Sequence, residues 1–408
     1  MSHHGVVSSH TNLSAQAAIQ GVAPLARGEV PPGLSPVRIE SPPGASALAQ
    51  FHRALQRTAA GRGKSRILFY GDSHVACDFL TGRVRDGLQA RFGDGGPGFI
   101  IAGKPWRSHR HDRVGISEAE GVRSERVKAR LDPDSAARLG LAGVAFESER
   151  ARARVQLSTR GDDALQGELY FLKQPGGGHL RISTDGKRPA DVRTRSAKEH
   201  AGYHPFALPA GSAHKLKLEV TNGGPVTWFG VSLENEHPGV VLDTLGIPGA
   251  RARAMLSWDG ALLREHVRHR NPDLLVLAYG TNEAGDEEPI ASYEEQLREV
   301  VGRMRTMAKG ASCLLIGPTD RLERTPSGEL RVMARTEKLI AAQRKVAREH
   351  GCGFFDLVGA MGGPKSMLKW STSQPAYGAP DHVHLTKRGY VALGDVLTTA
   401  LLEGYAAR

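Results

Sequence analysis

Five short apolar runs, each bounded by Gly, Pro or Asp, constrain the fold of this chain most: RILFYG, GVVLDTLG, DLLVLAYG, SCLLIGP and GFFDLV. They are too short for helices and lack the polar alternation of half-exposed strands, so they read as parallel strands buried on both faces. Helical periodicity occupies residues 293–309, 331–350 and 387–403, and a first amphipathic helix, ALAQFHRALQRTA, precedes the first run. Strand and helix alternating in this way imply right-handed crossovers. The expected class is α/β: a three-layer, doubly wound parallel sheet of five strands.

One interval breaks the rhythm. Between Pro105 and Pro238 the chain turns to short alternating segments such as ARVQLSTRGDD, GELYFLKQPGGG, HLRISTDGKR and HKLKLEVTNGG. Alternation beside DG and NGG pairs is a hairpin signal. Residues 105–238 are therefore expected to be an inserted β-sandwich module, splitting a core made of 46–104 and 239–408. Residues 1–45, with EVPPGLSPVRIESPPG, read as a disordered or linker-like segment.

With 408 residues, two folded units are the sensible prior. No apolar run reaches the roughly 18 residues of a membrane-spanning helix. The three cysteines, Cys77, Cys313 and Cys352, are scattered among apolar neighbours and read as buried thiols, neither a disulfide framework nor a zinc site. The N-terminus lacks the basic and continuous apolar regions of a signal peptide. Of the net charge of +11, a surplus of six basic residues falls between 104 and 200. Without a nucleic-acid motif or an aromatic platform, that surplus suits an anionic polymer, or merely a solvated face, better than nucleic acid.

Three blocks carry chemistry. Gly71-Asp72-Ser73-His74 follows the first strand and opens a helix-like segment, so Ser73 lies at the carboxyl end of a strand, beside helix N–H groups that favour developing negative charge. Taken alone, such a serine is ordinarily a helix cap. Gly280-Thr281-Asn282-Glu283 ends the third run, where the Asn282 amide can serve an oxyanion; its plain alternative is a turn residue. Asp381-His382-Val383-His384 opens the last helix. Asp381 can accept from one ring nitrogen of His384 while the other faces Ser73, and His382 is the competing histidine. Metal readings built on Asp381, His382 and His384, or on His109, His111 and Asp112, lack further ligands at a recognisable spacing. No cofactor is called for.

In this order the blocks resemble those of the SGNH/GDSL hydrolases. That resemblance implies an oxyanion hole formed by the Ser73 N–H, a glycine N–H and Asn282, with Gly249 of Gly246-Ile247-Pro248-Gly249-Ala250 preferred over Gly246. Over residues 65–405, GDSHVACDFLTGRVRDGLQARFGDGGPGF, the inserted β-rich region, PGVVLDTLGIPGA and LAYGTNEA resemble the bacterial peptidoglycan O-acetylesterases, which carry an inserted carbohydrate-binding-like domain. The implied function is removal of O-acetyl groups from a cell-wall glycan through an acyl-serine, in the periplasm or outside the cell. Open alternatives are another acetylated polysaccharide, a lipid or thioester, acyl transfer to a glycan hydroxyl, and a glycan-binding protein without catalysis. Protein partners stay undefined.

Overall fold

The computed structural model describes residues 30–127, 136–161, 163–187, 189–211 and 213–406. Its central sheet takes all five apolar runs: β1 (Lys64–Gly71), β2 (Gly239–Gly246), β3 (Leu274–Ala278), β4 (Ser312–Ile316) and β5 (Gly353–Phe355). The order is β2-β1-β3-β4-β5, every neighbour parallel. The chain steps from β1 to β2 on one side, then returns to build β3, β4 and β5 on the other. Such a reversal opens a crevice at the carboxyl ends of β1 and β3.

Among the described residues, six helices of 11 residues or more flank the sheet: α1 (Ala49–Ala59), α2 (Leu80–Phe92), α3 (Gly260–Arg270), α4 (Ile290–Met307), α5 (Arg335–Glu349) and α6 (Lys387–Leu402). Ile67, Phe69, Leu274 and Val276 share a buried cluster with Phe51, Val84 and Leu397 of α1, α2 and α6. Their neighbours Leu68, Tyr70, Leu275 and Leu277 share the opposite cluster with Val267, Val301 and Leu339 of α3, α4 and α5. Because side chains alternate across a strand, burying both faces requires an unbroken apolar run. Helix α3 was not anticipated, although Asp259 caps its start by accepting from the Ala261 and Leu262 N–H groups at 2.9 and 2.8 Å.

The inserted region is built of two antiparallel sheets. In one, His200–Leu208, Leu165–Lys173, Val226–Asn235, Val144–Ser148 and Arg123–Arg126 follow in order, and Gly98–Ile100 also pairs with Val226–Asn235. The other runs Val114–Ile116, Arg154–Thr159, Lys215–Asn222, His179–Thr184, Ala190–Arg193. Inward residues of both, among them Val155, Leu180 and Leu218 from one and Phe146, Leu169 and Trp228 from the other, share a single cluster. The pairing of Gly98–Ile100 draws chain before residue 105 into this region. Asp185-Gly186, both at positive φ, turns the expected hairpin between His179–Thr184 and Ala190–Arg193. The NGG segment does not make a hairpin: Asn222–Gly224 carries the chain from one sheet to the other, because its flanking strands pair with different partners.

Two further expectations are corrected. Within the segment read as a linker, residues 30–45 are packed chain: Leu34, Val37 and Ile39 lie against the core, and Glu40 exchanges backbone hydrogen bonds with Phe354 at 2.9 and 3.0 Å. Proline-rich chain can cover a sheet edge in this way because it need not donate at every position. Residues 1–29 lie outside the described residues. Cys313 and Cys352 are not thiols but a disulfide, Cα to Cα 4.6 Å. Leu314 pairs with Gly353 across β4 and β5, so the residues just before each are neighbours despite 39 positions between the cysteines. Cys77 is a free, half-buried thiol.

Buried charge fastens the two parts. Arg270 of α3 donates to Asp243 of β2 at 2.8 and 2.9 Å and to Glu234 of the inserted region at 2.8 Å, while Arg66 of β1 reaches Glu234 at 2.8 and 3.1 Å. Arg270→Leu would leave Asp243 buried beside no cation. We expect it to cost about 3–5 kcal/mol, read as a lower urea midpoint in equilibrium unfolding.

Candidate active site

The carboxyl ends of β1, β2 and β3 are in register: Gly71 is paired with Gly246 on one side and Ala278 on the other. Ser73, Gly249 and Asn282 follow those ends by two, three and four residues, so three loops share one edge of the sheet. Glycine is needed here for space. A Cβ on Gly71 would come within 2.7 Å of the Ala278 carbonyl, and one on Gly246 within 2.3 Å of the Ala76 backbone nitrogen. Gly246 is thus pressed against the turn carrying Ser73, whereas Gly249, at φ 77°, has open space where a Cβ would stand.

Ser73 begins a single helical turn, Ser73–Ala76, capped by Asp72, whose carboxylate accepts from the His74 N–H at 2.9 Å. Its Oγ–H donates to His384 Nε2 at 2.8 Å, and His384 Nδ1–H donates to Asp381 Oδ2 at 2.7 Å. Asp381 Oδ1 also accepts from the Val383 and His384 backbone N–H groups at 3.0 and 2.9 Å. Partial burial raises the Asp381 carboxyl, but the His384 ring and these backbone donors outweigh it and hold it at about 2. Asp381 is therefore an anion at neutral pH, able to stabilise an imidazolium. The arrangement can move the Ser73 proton to His384 and hold the ring in the tautomer that receives it.

His382 turns away: at φ 56° its Nδ1 meets Ser371 Oγ at 3.1 Å. His109 is half-buried and His111 buried, the latter 3.9 Å from Asp78. Among the described residues no three His, Cys, Asp or Glu side chains gather as a metal site.

Asn282 meets the glycine loop: its amide donates to the Ala250 carbonyl at 2.9 Å, which fixes it beside Gly249. The next residue, Glu283, has a role the sequence did not suggest. Its buried carboxyl accepts from the Ala252 N–H at 2.8 Å and the Gly280 N–H at 3.1 Å, bolting the glycine loop to the asparagine loop. The one available signal was its place directly after Asn282, at the end of the third apolar run. Behind Ser73, His74 is buried, its Nδ1 2.9 Å from Tyr390 Oη.

Burial raises Glu283 from 4.5 to about 7 and Asp72 from 3.8 to about 6. A carboxyl that holds its proton more tightly when folded contributes stability that is complete below the unfolded value and lost as pH rises through the folded one. Between pH 4.5 and 7 the parent should lose stability relative to Glu283→Gln, by at most about 3 kcal/mol. Urea midpoints of both proteins across that range test this; parallel curves would contradict it.

Residues 210–392 match the family model described as GDSL-like Lipase/Acylhydrolase, a span that includes Gly249, Asn282, Asp381 and His384. No curated protein matches the chain. Among solved structures, a peptidoglycan O-acetylesterase is 26% identical with a TM-score of 0.76, covering 90% of this chain and 99% of its own. A family two carbohydrate esterase from Clostridium thermocellum, solved with cellohexaose, is 12% identical, covers 64% of this chain and 96% of its own, and has a TM-score of 0.31. A Bacillus subtilis protein is 15% identical over 72% of this chain and 92% of its own, with a TM-score of 0.36. A likeness running over 90% of the chain, joined to the acylhydrolase match, makes this protein an ester-bond hydrolase that resembles the SGNH/GDSL hydrolases and, among solved structures, a peptidoglycan O-acetylesterase.

Proposed function

We propose that the protein removes O-acetyl groups from a polysaccharide, most favourably the glycan of peptidoglycan, with Ser73 as nucleophile, His384 as general base and Asp381 as its orienting anion. The observation that carries this reading is the continuous Ser73–His384–Asp381 hydrogen-bond chain, 2.8 and 2.7 Å, beside the glycine and asparagine loops. Ser73 Oγ attacks the ester carbonyl while His384 takes its proton. The Ser73 N–H, the Gly249 N–H and the Asn282 amide receive the oxyanion. His384 then protonates the departing sugar hydroxyl, and water activated by the same ring hydrolyses the acyl-serine. These steps draw only on this chain's own side chains, backbone and water.

Exposure of the site supports a small acyl group on a bulky carrier. The His384 and Asp381 side chains are 41% and 51% exposed, a shallow rim that offers a long acyl chain little apolar cover. The inserted region reads as a sandwich-like glycan-binding module. The outer face of its second sheet presents Arg154, Arg193, Lys215 and Lys217, and a hollow lined by Arg181, Lys187, Lys217 and Glu219 includes no aromatic side chain. Such a surface favours an anionic polymer over stacking of neutral sugars. The Cys313–Cys352 disulfide suits an oxidising compartment, in keeping with action outside the cytoplasm.

Ser73→Ala should lower kcat on 4-nitrophenyl acetate by roughly 10,000-fold or more. Asn282→Ala should lower it by about 100-fold or more. Mass spectrometry of O-acetylated muropeptides before and after treatment, beside acetate release from acetyl-xylan, tests the substrate. Faster release from xylan would displace the peptidoglycan reading, and activity retained by Ser73→Ala would remove the nucleophile.

A further inference from the structure

His384 and Asp381 sit on one loop, so Asp381 can orient the imidazole but cannot fix the distance between that loop and the Ser73 turn, 311 positions away. The backbone bonds of the 381–386 loop run elsewhere: the Ala379 N–H donates to the His384 carbonyl, the Thr386 N–H to Tyr377 and the Leu322 N–H to the His382 carbonyl. What joins the two loops behind the reacting atoms is a buried polar contact. Tyr390 of α6, six residues after His384, brings its hydroxyl within 2.9 Å of His74 Nδ1, and His74 is the residue after Ser73.

We propose that the His74–Tyr390 hydrogen bond is the strut that holds Ser73 Oγ and His384 Nε2 at proton-transfer distance, which makes both residues positioning residues for the reaction. This rests on reading Ser73 as nucleophile and His384 as base.

With His74 as the Nε2–H tautomer, the Tyr390 hydroxyl donates to His74 Nδ1 and His74 Nε2–H donates to Thr319 Oγ1 at 3.3 Å. The strut thus touches the serine turn, the first turn of α6 that follows the histidine loop, and the loop after β4. It is also dry, with Tyr390 and His74 only 3% and 5% exposed, so water does not replace a lost bond at little cost. Burial, with the neighbouring His384, holds His74 at about 3, which keeps its ring uncharged 5.3 Å from the His384 ring. His74 is therefore no competing base although it adjoins Ser73. Stacking of Phe79 on Tyr390 and packing of α6 on α2 set the helix axis, but proton transfer demands tighter placement than apolar packing enforces.

Tyr390→Phe removes the hydroxyl alone and keeps the ring stack. On 4-nitrophenyl acetate we expect kcat to fall about tenfold with KM unchanged, while thermal unfolding remains cooperative. Asparagine carries a polar atom close to the position of His Nδ1, so His74→Asn should retain most of kcat while His74→Leu loses as much as Tyr390→Phe. The double variant His74→Leu/Tyr390→Phe should be no slower than either single variant. A Tyr390→Phe kcat within twofold of the parent, additive losses in the double variant, or His74→Leu matching His74→Asn would overturn the strut. Ser73→Ala assayed in parallel separates the two readings: if it stays active the nucleophile is wrong, and if it is dead while Tyr390→Phe is unaffected only the strut fails.

Discussion

The pairing of Gly71 with Gly246 and Ala278 is the constraint on which the rest of the site depends. A parallel sheet with this register ends three strands at one level, and the loops that follow bring Ser73, Gly249 and Asn282 to a common edge. The close approach of these loops is possible because Gly71 and Gly246 carry no Cβ. Shifting β2 by one residue would turn its side chains to the opposite face and move the glycine loop along the edge. Strand register and active-site assembly are therefore one requirement.

The protein buries several carboxyl groups, and their partners decide what each does. Asp78 pairs with Arg85, both fully buried, and also accepts from Thr81 and Thr244; burial acts to raise it, but these partners drive it well below the ordinary carboxylate range. Asp243 and Glu234 meet Arg270 and weld the inserted sheets to the parallel core. Asp72 and Glu283 have backbone and hydroxyl donors in place of a paired cation, and both are raised by burial. They spend stability to fix the serine turn and to bolt the glycine loop to the asparagine loop, a cost usual where function sets the geometry.

Much of the core was legible because its physics is local. A strand buried on both faces needs a continuous apolar run, and β1 to β5 are those runs. Ser73, Asn282, Asp381 and His384 were legible because each follows a strand or opens a helix. Other features hid for equally physical reasons. The bond between Cys313 and Cys352 depends on β4 lying beside β5, which spacing along the chain does not encode. Residues 30–45 have the composition of a linker yet pack along the free edge of β5, and NGG has the residues of a hairpin yet joins strands of two sheets.

By itself the sequence determined the class of fold, the five strands, most of the helices and the identity of the residues at the sheet's edge, since these follow from apolar periodicity and from residues adjacent in the chain. Tertiary structure alone decided which glycine stands open, that Glu283 clips two loops together, that His74 meets Tyr390, and that Arg270 joins the two parts. Each of those facts is a contact between residues far apart in sequence. Such contacts depend on the sum of packing over the whole molecule, and no local pattern records it.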